Sequence, residues 1–211
     1  MLQADSARGA GSSSAGGDFV LYLEGPQDMG ILLAWCRRLL PQAAAPLSRA
    51  SVILGGRQPA RAIEHFKGLG GAEAGKRGLC VLDRDDGAAA VGPSPEAPGL
   101  EFFTWTRRHI ESYLLVPEAV ARVVGKADAG GRVGRELRRH LPANGDEKAY
   151  QVLDAKKLLA RDGPLARRLG RQIPLARVAR ATRPPELHAD VHSFFDAVRR
   201  ELGLVEAEVV R

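Results

Sequence analysis

The first half of the chain alternates short apolar runs with amphipathic stretches, and the second half turns helical. Residues 19–23, 51–54, 79–82 and 102–106 are continuous apolar runs rather than polar/apolar alternations. That pattern predicts strands covered on both faces. Helical periodicity lies between them, at about 27–40 and 60–69. Strand and helix in alternation predict a parallel sheet with right-handed crossovers, an α/β fold flanked by helices. From Ile110 onward the pattern changes: Ile110, Tyr113 and Leu114 share one helical face, and Pro117 ends or restarts that helix. Residues 118–182 read as several short Arg-rich helices, broken by Gly130-Gly131, by the Pro142–Gly145 turn signal and by Gly163-Pro164. A last amphipathic helix is predicted from Pro185 to about Leu202, burying Leu187, Val191, Phe194, Phe195 and Val198.

This divides the chain into residues 1–17, a small and polar linker expected to be disordered; 18–116, an α/β core; 117–183, a basic helical insertion; and 184–211, a C-terminal helix packing on the core. Residues 87–99 read as a flexible loop after the third strand. The linker hints at something attached upstream.

Composition adds three constraints. No apolar run among the 211 residues reaches the length of a membrane span, and the start lacks a secretory signal pattern. Cys36 and Cys80 are lone cysteines in apolar segments, so buried free thiols and a cytoplasmic location are expected. The formal charge of +6 points toward a polyanionic partner, and its distribution sharpens that. Between Lys156 and Arg183 nine basic residues face one acid, Asp162. A merely solvated face would interleave both signs, so phosphate binding is expected there.

Ligands of open parallel sheets bind beyond the carboxyl ends of the strands. The first strand ends at Glu24, within LYLEGPQD, and the third runs LCVLDRDDG into Asp83, Arg84, Asp85 and Asp86. Two strands thus aim carboxylates at one edge. Asp83 and Asp85, two apart in an extended segment, point to the same side. Like charges this close raise one another's pKa unless a cation neutralises them. Oxygen ligands without Cys or His suit Mg²⁺ or Mn²⁺ rather than Zn²⁺. Each acid also has a plainer reading. Asp28 is what the first turn of a helix selects, and Glu111 is an ordinary solvent-facing helix residue.

Rival motifs fail on context. GGAEAGK, residues 70–76, resembles a phosphate-binding loop but lies after a helix and before a strand, the reverse of the required order. DRDDG lacks the spacing of a calcium loop, and its Asp86 stands where aspartyl phosphate-transfer enzymes want a glycine. His188 and His192 are four apart, yet HADVH lacks the glutamate of zinc peptidases.

The ordered trio LYLEGPQD, VLDRDD and TRRHIESYLL closely resembles the Toprim domain shared by topoisomerases, bacterial primases and several nucleases. Within it, the trio is most similar to the Toprim domain of OLD (overcoming lysogenisation defect) family nucleases, over roughly residues 19–116. The resemblance implies a Toprim/Rossmann-like fold and a metal-dependent endonuclease that cleaves or nicks DNA with two Mg²⁺ or Mn²⁺ ions. It implies metal binding by Glu24, Asp28, Asp83, Asp85 and Glu111, with Glu24 also an acid/base candidate. Lys156 in DAKKLL is similar to a lysine that approaches the reacting phosphate, although Ala155 replaces a glycine and Lys157 stays an alternative. DNA contact is expected from Arg84, Arg107, Arg108, Lys157, Arg161, Arg167, Arg168 and Arg171. The family's partner is an N-terminal ABC-type ATPase, through which a homo-oligomer could form; this chain does not contain it. Two other readings stay open: a non-catalytic Toprim module that binds nucleic acid, and primase-like chemistry. Topoisomerase chemistry would need a separate tyrosine-bearing domain, for which Tyr113, expected in the core, is no substitute.

Overall fold

The computed structural model describes residues 18–84, 94–125, 131–143 and 146–204. The expected linker at 1–17, Asp85, Asp86 and most of the 87–99 loop lie outside the described residues. Four parallel strands, β1 (Phe19–Leu23), β2 (Ser51–Ile53), β3 (Arg77–Leu82) and β4 (Leu100–Thr104), form one sheet in the order β2-β1-β3-β4. Registers Leu21 opposite Ser51, Leu21 opposite Leu79 and Cys80 opposite Phe102 fix the pairings. The α/β architecture read from the sequence is therefore present.

Side-chain alternation along the central strands sorts the core into two layers. Phe19, Leu21 and Leu23 of β1 with Leu79 and Val81 of β3 face the larger layer. There they meet Ile31 and Trp35 of α1 (Pro26–Leu39), Val178 of α9 (Leu175–Ala181) and Phe194 of α10 (Ala189–Glu201). Val20, Tyr22, Cys80 and Leu82 face the opposite layer, against Ala62 and Phe66 of α3 (Pro59–Gly68). Covering both faces removes the need for polar alternation, which is why the strands read as unbroken apolar runs. α2 (Ala44–Ala50) leads into β2.

The helical part follows the sequence pattern closely: α4 (Pro117–Val124), α5 (Arg132–Arg138), α6 (Glu147–Tyr150), α7 (Ala155–Leu159) and α8 (Pro164–Leu169) precede α9. Pro117 and Pro164 sit at first helical positions, where the missing N–H costs nothing. Leu137, Leu158, Leu165 and Val178 of these helices join the larger core layer, so the basic segment shares the hydrophobic core of the sheet. Tryptophans 35 and 105 meet edge-on at 6.5 Å in that layer, with Phe103 edge-on and Phe194 tilted against Trp105. Among the described residues no helix is long and apolar enough to cross a membrane. Cys36 and Cys80 are buried free thiols.

Candidate metal centre

The strand order places a topological switch between β1 and β3: after β1 the chain adds β2 on one side, then returns to add β3 on the other. Crevices in open α/β sheets form at such a switch, outside the carboxyl ends. Glu24 and Asp83 are the residues that leave those two ends. Glu24 Oε1 accepts a hydrogen bond from the backbone N–H of Asp83 at 2.8 Å, so the two acids adjoin as their sequence positions require. The loop after β2 closes on the same point: the N–H groups of Gly55 and Gly56 donate to the Glu24 carbonyl at 3.0 and 2.9 Å. Their φ values of 83° and 127° are ones that only glycine adopts readily.

Asp83 is 3% exposed and both its oxygens are engaged. Oδ1 accepts from the Ile110 N–H at 3.0 Å, and Oδ2 accepts from Lys156 Nζ at 2.5 Å. Lys156 enters from α7, whose N-cap Asp154 accepts from the Lys157 N–H at 2.8 Å. That cap turns the two lysines apart: Lys156 reaches the acids, while Lys157 is exposed and its side chain contacts no acid among the described residues. Burial opposes charge on Lys156, but the hydrogen bond and charge of Asp83, with Glu111 and Asp28, outweigh it and hold the ammonium above its ordinary range.

The third acid arrives on the 3-10 helix Ile110–Leu114, all five residues of which are buried. Glu111 is 1% exposed, against its plainer reading as a surface residue. Its Oε1 accepts from Gln27 Nε2 at 2.7 Å, while its Oε2 is buried with no hydrogen-bond partner. Burial pushes its carboxyl up to about 7, with Lys156 pulling down and Asp83 and Asp28 pushing further up. Asp28, in the first turn of α1, accepts from the Gly25 N–H at 2.9 Å. It therefore does fulfil the helix-start role that its position suggests. Burial nonetheless raises it to about 6, and the charge of Asp83 adds to that.

Glu24, Asp28, Asp83 and Glu111 are thus brought to one end of the sheet. Among the described residues, however, no three His, Cys, Asp or Glu side chains are gathered closely enough to hold an ion. Each acid is instead braced by a donor from the protein itself, and the Lys156 ammonium occupies Asp83. The donor set still fits a hard cation, because it is all oxygen and because Glu111 Oε2, a buried acceptor without a donor, costs about 1–3 kcal/mol if left unpaired.

Three neighbours of the acids stand at positions to which the motifs assign no role. Gln27 fixes Glu111. Arg57, in the loop after β2, donates from a guanidinium nitrogen to the Asp83 carbonyl at 3.0 Å. His109 is 6% exposed, with Nδ1 unpartnered, and burial together with Lys156 and Arg108 lowers its pKa against the opposing pull of Asp83. Only the position of Arg57 beyond a strand end offered a signal.

The arginines expected on DNA divide. Arg107 is committed to the fold: it forms a bidentate pair with Glu147 at 2.9 and 2.6 Å and lies 3.8 Å over the Tyr150 ring. Arg108 donates to the Val152 carbonyl at 3.0 Å and exposed Arg84 to the Thr106 carbonyl at 3.5 Å. Arg167 donates to the Asp162 carbonyl and Arg168 pairs with Glu136. Lys157, Arg161 and Arg171 are exposed with no side-chain partner among the described residues. Comparison with protein-family models, with curated proteins and with solved structures finds no match to this chain.

Proposed function

We propose that this chain is a divalent-metal-dependent nuclease domain that nicks or cleaves DNA phosphodiester bonds. The observation that carries the reading is the convergence at the β1/β3 switch. The Glu24 carboxylate accepts the Asp83 backbone N–H there, and buried Glu111, whose carboxyl feels the charge of Asp83, keeps an oxygen with no hydrogen-bond partner. Glu24, Asp28, Asp83 and Glu111 would hold Mg²⁺ or Mn²⁺, and the motif resemblance adds Asp85 to the same ligand set. A pair of such ions supplies Lewis acidity, lowering the pKa of an attacking water and neutralising charge on the scissile phosphate.

The side chains of this protein do the rest. The Asp83 N–H orients Glu24 for proton transfer. Lys156, held charged over Asp83, supplies a donor for a non-bridging phosphate oxygen, an effect worth about 2–4 kcal/mol. Exposed Lys157, Arg161 and Arg171 meet the neighbouring backbone phosphates, which weakens binding as salt rises and carries little sequence preference. The motif resemblance to OLD-family Toprim domains adds an upstream ABC-type ATPase and a homo-oligomer to the same proposal, and the lone buried cysteines add a cytoplasmic location.

One observation favours the second reading, a non-catalytic nucleic-acid-binding module: the Lys156 ammonium already neutralises Asp83. Supercoiled plasmid incubated with Mg²⁺ or Mn²⁺ separates the two. The nuclease reading expects nicked or linear product from the parent chain and none from Asp83→Asn, with DNA binding retained by both. Binding without cleavage by the parent chain under either ion supports the module instead.

A further inference from the structure

A groove of about 520 Å³ opens beside the acids, between the first turn of α1, the end of α7 and the start of α9. Its polar lining is Gln27, Lys156, Arg161, Gln172 and Arg177, and no acidic residue lines it among the described residues. Two of these residues also belong to the acid cluster: Gln27 donates to Glu111 and Lys156 to Asp83. The groove therefore begins where the proposed reaction would occur. At its other side Arg161 and Arg177 are exposed, and their side chains have no hydrogen-bond or ion-pair partner among the described residues. That separates them from Arg167 and Arg168, which are already engaged. Pro26, Pro174 and Leu175, each at least partly exposed, give the same groove an apolar wall.

Such a combination is specific in its chemistry. Unpaired guanidiniums favour phosphate, which they grip with paired donors. An apolar wall beside them accepts the flat, weakly hydrated face of a base or sugar, and the volume is that of a small-ligand pocket. We infer that this groove holds one strand of DNA adjacent to the scissile phosphate, with a nucleotide against Pro26, Pro174 and Leu175 and its flanking phosphates on Arg161 and Arg177. This deepens the nuclease reading and rests on it for the direction in which the strand leads. Gln172 is new to the substrate path, and Arg177 is singled out from the basic run by its place in the groove.

The test is fluorescence anisotropy of a labelled single-stranded DNA about 12 nucleotides long, in EDTA so that no cleavage is needed. The double variant Arg161→Ala/Arg177→Ala is expected to bind at least about tenfold more weakly, and to lower the slope of log K against log salt by about 1.4, the loss of two phosphate contacts. The control Arg37→Ala/Arg49→Ala removes the same charge from exposed positions outside the groove and is expected to change binding by less than about threefold. Thermal unfolding verifies that both remain folded. In plasmid nicking, the groove variant is expected to raise KM far more than it lowers kcat. Binding by the groove variant within twofold of the parent chain, or an equal loss in the control, would overturn the groove. A parent chain that binds through Arg161 and Arg177 but never cleaves leaves the groove standing and removes the nuclease reading. Cleavage with normal binding by the groove variant does the reverse.

Discussion

The acidic end of the sheet and the basic face of the short helices are opposite designs. Asp83 and Glu111 are almost wholly buried, each fixed by a named donor: Ile110 and Lys156 for the first, Gln27 for the second. Arg161, Arg171 and Arg177 are exposed and uncommitted. A group locked in place by the backbone acts on the reacting atoms, and its loss appears in rate. An exposed cation acts through summed charge, and its loss appears in affinity and salt dependence. The acids should therefore be few and individually indispensable, the bases many and individually replaceable.

The largest expected effect follows from the acids. Asp83→Asn should lower plasmid nicking by about 10³-fold, the scale of losing a preorganised charged group, while DNA affinity measured by anisotropy changes by less than about threefold. A comparable loss of affinity would erase the contrast between the two regions.

Next is stability. Asp28 and Glu111, raised to about 6 and about 7, have folded pKa values above their unfolded ones. Their contribution to stability is fully present below pH ~4 and is lost as pH rises through the folded values. Lowered His109 works in the opposite sense over part of that range, so the clean observable is a difference between variants. In EDTA, Glu111→Gln should be no more stable than the parent chain at pH 4.5 and more stable by about 3 kcal/mol at pH 8, measured by urea unfolding. Adding Mg²⁺ at pH 8 should stabilise the parent chain and not the variant, because an ion that binds only the folded ionised site stabilises by mass action. No gap at pH 8 would mean that Glu111 ionises without cost.

The smallest effects belong to single bases. Arg171→Ala should weaken duplex DNA binding by less than about fivefold and lower the salt slope by about 0.9, whereas Arg168→Ala, whose partner is Glu136, should do less. Salt titrations of the two variants give this ranking directly.

The same contrast explains what the sequence made legible. β1 was readable at both ends because Phe19–Leu23 is buried throughout and bounded by polar residues. β3 begins two residues earlier than its apolar run, at Arg77, because pairing of Phe19 with Arg77 extends the ladder through polar sequence. Gly78 is needed in it: a Cβ there would come within 2.8 Å of Leu100 Cδ1. β4 starts at Leu100 and ends at Thr104, although the Trp105 N–H still donates to Leu82. The acids at the strand ends could be read because topology alone sends β1 and β3 to the same edge. Their braces could not. Gln27, Arg57 and His109 are set by how α1, the β2 loop and the Ile110–Leu114 turn pack, which no local pattern records. Likewise, charge counting found the basic run but could not tell engaged Arg168 from free Arg161, because the difference is whether Glu136 stands opposite.

Anomalous scattering from Mn²⁺ soaked into crystals of the protein at pH 8 tests the central claim most directly. A site that binds divalent ions for phosphodiester cleavage should give density against Glu111 Oε2 and Asp83, with the Lys156 ammonium displaced from the carboxylate it now holds. Mn²⁺ density elsewhere, or none, with Lys156 still seated on Asp83, would contradict the account.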